Sequence, residues 1–190
     1  MITPGAVKSL KGKTVLTFFI ITSCVYAFML LVTIPHVMAF ANGMPLLDMM
    51  PAGYSHGYVF QLLEALGADG RDAYVTKQIP VDMIYPGLFA ITYLLVFRYF
   101  LNKTGSASSR WNVISLLPLI AGFCDYVENF LFINMIIGYP EISQQTVRIA
   151  SIFSVAKSGT TTIYFVSLSL LLIFVGVKAF RKSKQSARGI

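Results

Sequence analysis

The sequence predicts an all-α polytopic membrane protein, a four-helix bundle with a short helical extracytoplasmic loop. Composition is the first observation: of 190 residues, 56% are hydrophobic and only 12% are charged, with a mean hydropathy of +0.70. Second, four apolar stretches are long enough to cross a bilayer, which takes about 20 residues in a helix. Third, Lys and Arg concentrate in the termini and one short loop, as is typical of multi-pass membrane proteins.

Four spans follow from these stretches, within a single domain of residues 1–190. The first follows three lysines, as a signal peptide would, but its apolar run is longer than the roughly 7–15 residues of a signal core. We therefore expect a membrane helix that Pro35 and His36 end. The predicted spans lie at about 14–35, 80–101, 112–138 and 145–180, and the outer loop at 36–79.

The outer loop contains an amphipathic pattern rather than a linker composition. Its apolar residues recur at positions i, i+3, i+4 and i+7: Val59, Leu62, Leu63 and Leu66. This spacing predicts a short helix with one buried face, beginning near Ser55 and ending at Gly67. We expect this helix to cap the bundle.

The distribution of basic residues predicts the orientation. The residues on one predicted side are Lys8, Lys11 and Lys13, then Arg98, Lys103 and Arg110, then Lys178, Arg181, Lys182, Lys184 and Arg188. The other side has only Arg71, Lys77 and Arg148. Because the side richer in Lys and Arg stays in the cytoplasm, both termini are expected there, and we expect a bacterial inner membrane.

The third span carries ionisable residues in its middle. Asp125, Glu128 and Asn129 fall on one helical face because they are spaced i, i+3 and i+4. Each carboxyl left in lipid would cost roughly 2.5–3.5 kcal/mol, so we expect this face to contact protein. Lys157 in the fourth span reaches a similar depth when both helices are counted from the turn near Glu141. The spacing favours an ion pair of Lys157 with Asp125 or Glu128.

These residues are the candidate site. Asp125 and Glu128 are candidate catalytic residues that handle a proton, and Lys157 would tune their charge. Asp82 would stand at the pocket mouth and Asn129 would orient a ligand. Further candidate ligand-binding residues are Tyr85, Tyr126, Ser154 and Thr161. The structural alternative is also open: a buried ion pair can fix helix register, and tyrosines often make interhelical contacts.

The chain lacks the residue patterns that metal, redox and phosphate-binding chemistry require. Cys24 and Cys124 have no partner at metal or redox spacing, and no zinc-ligand cluster or Gly-rich phosphate loop occurs. We therefore expect neither a cofactor nor a metal. The net charge of +7 is explained by membrane orientation, so we expect no nucleic-acid partner.

Two short motifs support a family resemblance. "LLDMMP" places Asp48 just past the first span, and "VDMIYP" places Asp82 at the start of the second. In these motifs and in its order of spans, the chain resembles EXPERA-domain membrane proteins, which include sterol isomerases and the sigma-2 receptor. The resemblance implies that Asp48 and Asp82 line a sterol-sized, ligand-binding pocket. The Asp125 cluster and Lys157 have no counterpart in that pattern. The chain also looks like uncharacterised four-span bacterial membrane proteins with a "DYxEN" core.

Three functional hypotheses follow. The first is binding of a hydrophobic lipid- or sterol-like small molecule that enters from membrane lipid, with acid–base transformation as a further step. The second is an ion- or proton-coupled transporter that works as a homo-oligomer and uses the same charges. The third is a structural partner of another membrane protein. The sequence leaves open whether the protein is an enzyme.

Overall fold

The structure, a computed structural model, describes residues 11–105 and 109–188 and is all-α, with no strand among these residues. Four helical segments are long and apolar enough to cross a membrane: Gly12–Ala41, His56–Thr104, Trp111–Gly138 and Gln144–Arg181. The predicted all-α fold with four spans is therefore confirmed, and the chain has the make-up of a multi-pass membrane protein. Lys8, used above for orientation, lies outside the described residues.

The first span continues beyond its predicted end. Helix α1 (Gly12–Phe28) passes through a π-helical turn (Met29–Thr33) into α2 (Ile34–Met38) and a 3-10 turn (Ala39–Ala41). Pro35 lies inside this continuous helix, directly after the π-helical turn, where the backbone hydrogen bonding is already irregular. The helix therefore ends only at Asn42, which has a left-handed conformation with φ of 51°.

The outer segment is more helical than the sequence predicted. Residues 42–55 form a loop with one 3-10 turn (Leu47–Met49), and α3 (His56–Ala73) follows it. The Ser55 side chain accepts a hydrogen bond from the Tyr58 backbone N–H at 3.2 Å, as expected of a helix start. The predicted apolar face is buried, at Val59, Leu62, Leu63 and Leu66.

Gly67 does not end this helix. It has a φ of 62°, which bends α3, and the helix then continues. A π-helical turn (Tyr74–Gln78) joins α3 directly to α4 (Ile79–Thr104). The second half of the predicted loop and the second span thus form one continuous helical segment, His56–Thr104, with a bend.

The remaining helices follow the predicted spans closely. A short α5 (Ser109–Ile114) precedes α6 (Leu117–Gly138), and α7 (Gln144–Arg188) completes the described chain. Helix α6 packs against both α4 and α7, and α1 packs against α4. Because α7 also contacts α4, both α1 and α7 pack beside α4.

A close approach of α4 and α6 positions the polar residues. A Cβ atom added at Gly122 would lie 2.8 Å from the Pro86 carbonyl oxygen, so only glycine permits this spacing. The same contact brings Asp82 of α4 beside Asn129 of α6. We call the end of the bundle near residues 42–78 the loop end and the opposite end the terminal end.

Apolar clusters lie on both sides of the polar residues. The cluster at the loop end packs α3 over α2, α6 and the start of α7, with Phe132 completely buried among its members. The cluster at the terminal end joins α4 to α7 through Phe97, Tyr164 and Leu168. The polar residues between them are therefore shielded from both ends.

Candidate functional site

The Lys157 ammonium joins the two carboxylates of α6. Its Nζ atom lies 2.9 Å from Asp125 Oδ1 and 2.5 Å from Glu128 Oε2. Their side chains are 18%, 11% and 0% exposed for Lys157, Asp125 and Glu128, respectively. An unpaired buried charge lowers the stability of the fold, so the double ion pair with Lys157 offsets the cost of burying both carboxylates. The contact predicted from helix depth is thus present.

The loop 42–55 closes over this ion pair. The Tyr54 hydroxyl lies 3.4 Å from Glu128 Oε1, and the Tyr54 backbone N–H donates to Ser151 Oγ at 3.0 Å. Burial, and then the nearby Glu128 charge, raise the pKa of Tyr54 above its ordinary value. The phenol therefore keeps its proton and remains a donor to the carboxylate. Ser154 holds the same loop, because its hydroxyl donates to the Met50 carbonyl at 3.3 Å.

A second pair of carboxyls lies beside the first. The Tyr74 hydroxyl donates to Asp48 Oδ2 at 3.1 Å, and the carboxyls of Asp48 and Asp82 are within hydrogen-bonding reach of each other. Burial raises the pKa of Asp48 above its ordinary value, while the Lys157 charge acts in the opposite direction. Asp48 Oδ1 is buried and has no hydrogen-bond donor among the described residues.

Asn129 connects α6 to the start of α4. Its side-chain N–H donates to the Asp82 backbone carbonyl at 3.3 Å. The residue is completely buried, and its Oδ1 atom has no partner in the described part of the chain. Asn129 therefore fixes the position of Asp82 and offers one unused acceptor.

A cavity of about 450 Å³ opens between these groups and the flanking helices. One wall is polar, with Asp48, Asp82, Asp125 and Lys157. The other lining residues include apolar and aromatic side chains of the first span and α4 and hydroxyl-bearing side chains of α7: Tyr26, Met29, Leu30, Ile34, Tyr85, Phe89, Ser158, Thr161 and Thr162. A pocket with few polar groups on an apolar surface is the usual form of a small-molecule site.

The predicted site residues divide into three groups. Six of them line the cavity: Asp48, Asp82, Tyr85, Asp125, Lys157 and Thr161. Glu128, Asn129 and Ser154 do not line it, but they support residues that do or the loop that covers it. Tyr126 lies elsewhere, with its hydroxyl against Gly87 of α4. The structure thus brings most of the candidates together and leaves Tyr126 apart.

Some site residues have no clear signal in the sequence. Tyr54 and Tyr74 contact the carboxyls, and Tyr26 stacks on Tyr85 with ring centroids 5.2 Å apart. Sequence reasoning missed all three roles because a tyrosine near a membrane boundary is ordinary. Only the packing of these three segments in the tertiary structure reveals them.

A larger cavity of about 1010 Å³ lies at the loop end, where α3 and α7 begin. Its lining includes His56, Gln144 and Arg148, but none of the four clustered carboxyls and not Lys157. The smaller cavity holds the buried charges and is therefore the candidate site. Among the described residues, no group of three or more His, Cys, Asp or Glu side chains could hold a metal ion.

The fold and the site together define a four-span membrane protein with a buried cluster of carboxyls and one lysine beside a cavity. No protein-family model matches the chain, and its comparison with curated proteins and solved structures finds no match.

Proposed function

We propose that this protein binds a hydrophobic, lipid- or sterol-like small molecule in the 450 Å³ cavity. The observation that carries the proposal is the lining of that cavity, which has charged groups on one wall and apolar and aromatic groups on the others. Such a lining suits an amphiphile whose polar end meets Asp82, Asp125 and Lys157. The resemblance to EXPERA-domain proteins favours the same class of ligand.

The proposed ligand enters from membrane lipid. Tyr26 and Leu30 line the cavity, yet they are 45% and 39% exposed on the surface of the first span. Thr162 of α7, also a lining residue, is exposed as well. The cavity therefore reaches the lipid-facing surface between the two flanking helices, and a hydrophobic ligand needs no aqueous route.

Acid–base transformation of the bound molecule is the second part of the proposal. Of the two carboxylates paired with Lys157, Asp125 lines the cavity and can reach a ligand. Glu128 contacts Lys157 but does not line the cavity. In this role Asp125 handles a proton, Lys157 and Glu128 set its charge, and Asn129 positions Asp82.

The proposed orientation places both termini in the cytoplasm of a bacterial inner membrane, with loop 42–55 and α3 on the outer side. The support is the excess of Lys and Arg in the terminal segments and the loop around residues 98–110. The cavity then lies in the outer half of the bilayer, below loop 42–55.

The alternatives fit the packing less well. A transporter needs a polar path across the bundle, but the described core at the terminal end is apolar where Phe97, Tyr164 and Leu168 meet. A purely structural role needs the charges to be paired without a cavity, and these charges line one. Ligand binding accounts for both the cavity and its charges.

Photolabelling tests the proposal. The full chain in bilayers is exposed to a diazirine-bearing sterol or a diazirine-bearing fatty acid, and the labelled residues are mapped by mass spectrometry. In Leu30→Trp the larger side chain occupies part of the cavity, whereas Leu31→Trp changes the neighbouring residue, which is 77% exposed. We expect labelling of cavity residues in the wild type and in Leu31→Trp and its loss in Leu30→Trp.

The two probes distinguish the ligand classes. Labelling by the sterol alone favours a sterol-like ligand, and labelling by the fatty acid alone favours an acyl chain. Equal labelling in Leu30→Trp and the wild type, or labels confined to the outer surface, would contradict ligand binding in this cavity.

A further inference from the structure

The hydrogen-bond donors around Asp48 and Asp82 are too few for the buried acceptors. The Tyr74 hydroxyl donates to Asp48 Oδ2, and the Asn129 side-chain N–H donates to the Asp82 backbone carbonyl. The Lys157 ammonium is paired with Asp125 and Glu128. Two buried acceptor atoms, Asp48 Oδ1 and Asn129 Oδ1, then have no donor among the described residues. Buried polar atoms are rarely left without a partner, so these two acceptors require a donor that the described side chains do not provide.

The missing donor can be a proton. Two ionised carboxylates have only acceptor atoms, so the contact between Asp48 and Asp82 is a hydrogen bond only when one of them carries a proton. Asp82 is 3% exposed, and water therefore compensates little for a second negative charge there. Two carboxyls that share one site in this way hold one proton between them.

The charges around the pair favour the same result. The groups that face Asp48 or Asp82 from the surrounding elements are Tyr74, Asp125, Asn129 and Lys157, with Glu128 and Tyr54 just beyond. Lys157 is the one positive charge in this set and is already paired twice, with Asp125 and Glu128. No described cation is left for the second pair of carboxyls.

We propose that Asp48 and Asp82 form a proton-binding site in which one exchangeable proton bridges the two carboxyls and fastens loop 42–55 to α4. A hard metal cation takes about six or more oxygen ligands, and no group of three or more His, Cys, Asp or Glu side chains among the described residues could hold one. The inference concerns the unliganded protein and does not depend on the proposed ligand. A failure of photolabelling would therefore leave it standing.

Infrared spectroscopy tests the proposal on the full chain in bilayers. At pH 8 ordinary Asp and Glu side chains, with pKa values of about 3.9 and 4.3, are fully ionised. We expect the carbonyl stretch of one protonated carboxyl per wild-type chain, shifted in heavy water. It should disappear in Asp48→Asn and in Asp82→Asn, because an amide N–H then satisfies the remaining carboxylate.

Two variants are matched controls. Asp72→Asn removes an exposed carboxylate of α3, and Glu128→Gln removes the carboxylate of the other pair. Both should keep the signal. If one of the Asn variants does not fold, the other and Glu128→Gln still locate the proton.

Four results would overturn the proposal. They are no signal in the wild type, a signal that survives in either Asn variant, a signal lost in Glu128→Gln, and a signal that grows when choline replaces sodium in the buffer. The last would show that sodium, rather than a proton, occupies the site.

Discussion

Lys157 Nζ lies 2.5 Å from Glu128 Oε2, and this contact ties the fourth span to the third in the middle of the bundle. Glu128 is completely buried, so its charge depends on the lysine and on the Tyr54 hydroxyl. The same ammonium holds Asp125 at the cavity wall. A change at this contact is therefore expected to affect both stability and the site.

Replacing the lysine should destabilise the protein strongly. Lys157→Met leaves two carboxylates without their cation, which we expect to lower the free energy of unfolding by about 3–5 kcal/mol. Combining Lys157→Met with Glu128→Gln should recover much of this loss, because one of the two charges is then absent. Denaturant unfolding in detergent measures the cycle, with the exposed Lys11→Met as the control. Additive effects of the two changes would contradict an energetic coupling.

Stability should depend on pH through Asp48. Because its pKa is raised in the folded protein, mainly by burial, its protonated form is favoured by folding. This contribution is fully present below about pH 4, the ordinary Asp range, and is lost as the pH rises through the folded pKa. We therefore expect the wild type to lose thermal stability between acidic and neutral pH, and Asp48→Asn to lose less.

The measurement is the midpoint of thermal unfolding across this pH range for the wild type, Asp48→Asn and the exposed-site variant Asp72→Asn. Asp72→Asn should follow the wild type. An identical pH profile for Asp48→Asn and the wild type would show that Asp48 does not titrate differently in the folded and unfolded states.

Cysteine labelling should report the proposed orientation. In a background without Cys24 and Cys124, a single cysteine at the exposed Asp69 should react with an impermeant thiol reagent added outside intact cells. One at the exposed Lys184 should react only after the membrane is opened. The reason is the bias of Lys and Arg toward the terminal end. Labelling of Lys184→Cys alone in intact cells would reverse the topology and place the cavity in the inner leaflet.

The sequence by itself determined the four spans, the buried face of α3 and the pairing of α6 with Lys157. These features follow from local quantities: apolar length, helical period and rise per residue, and the cost of a charge in lipid. The same local rules failed at Pro35 and Gly67, where the helix continues. The helix continues past Pro35 directly after a π-helical turn and past Gly67 with a bend, and neither irregular geometry is encoded in a local pattern.

Only the tertiary structure decided which side chains share the cavity. Loop 42–55 has no periodicity that fixes its direction, so the contact of Asp48 with Asp82 and that of Tyr54 with Glu128 depend on how the loop packs on the bundle. The cavity itself depends on the spacing of α1 and α7 on either side of α4. Distances between helices arise from packing of residues far apart in the chain, which local patterns do not contain.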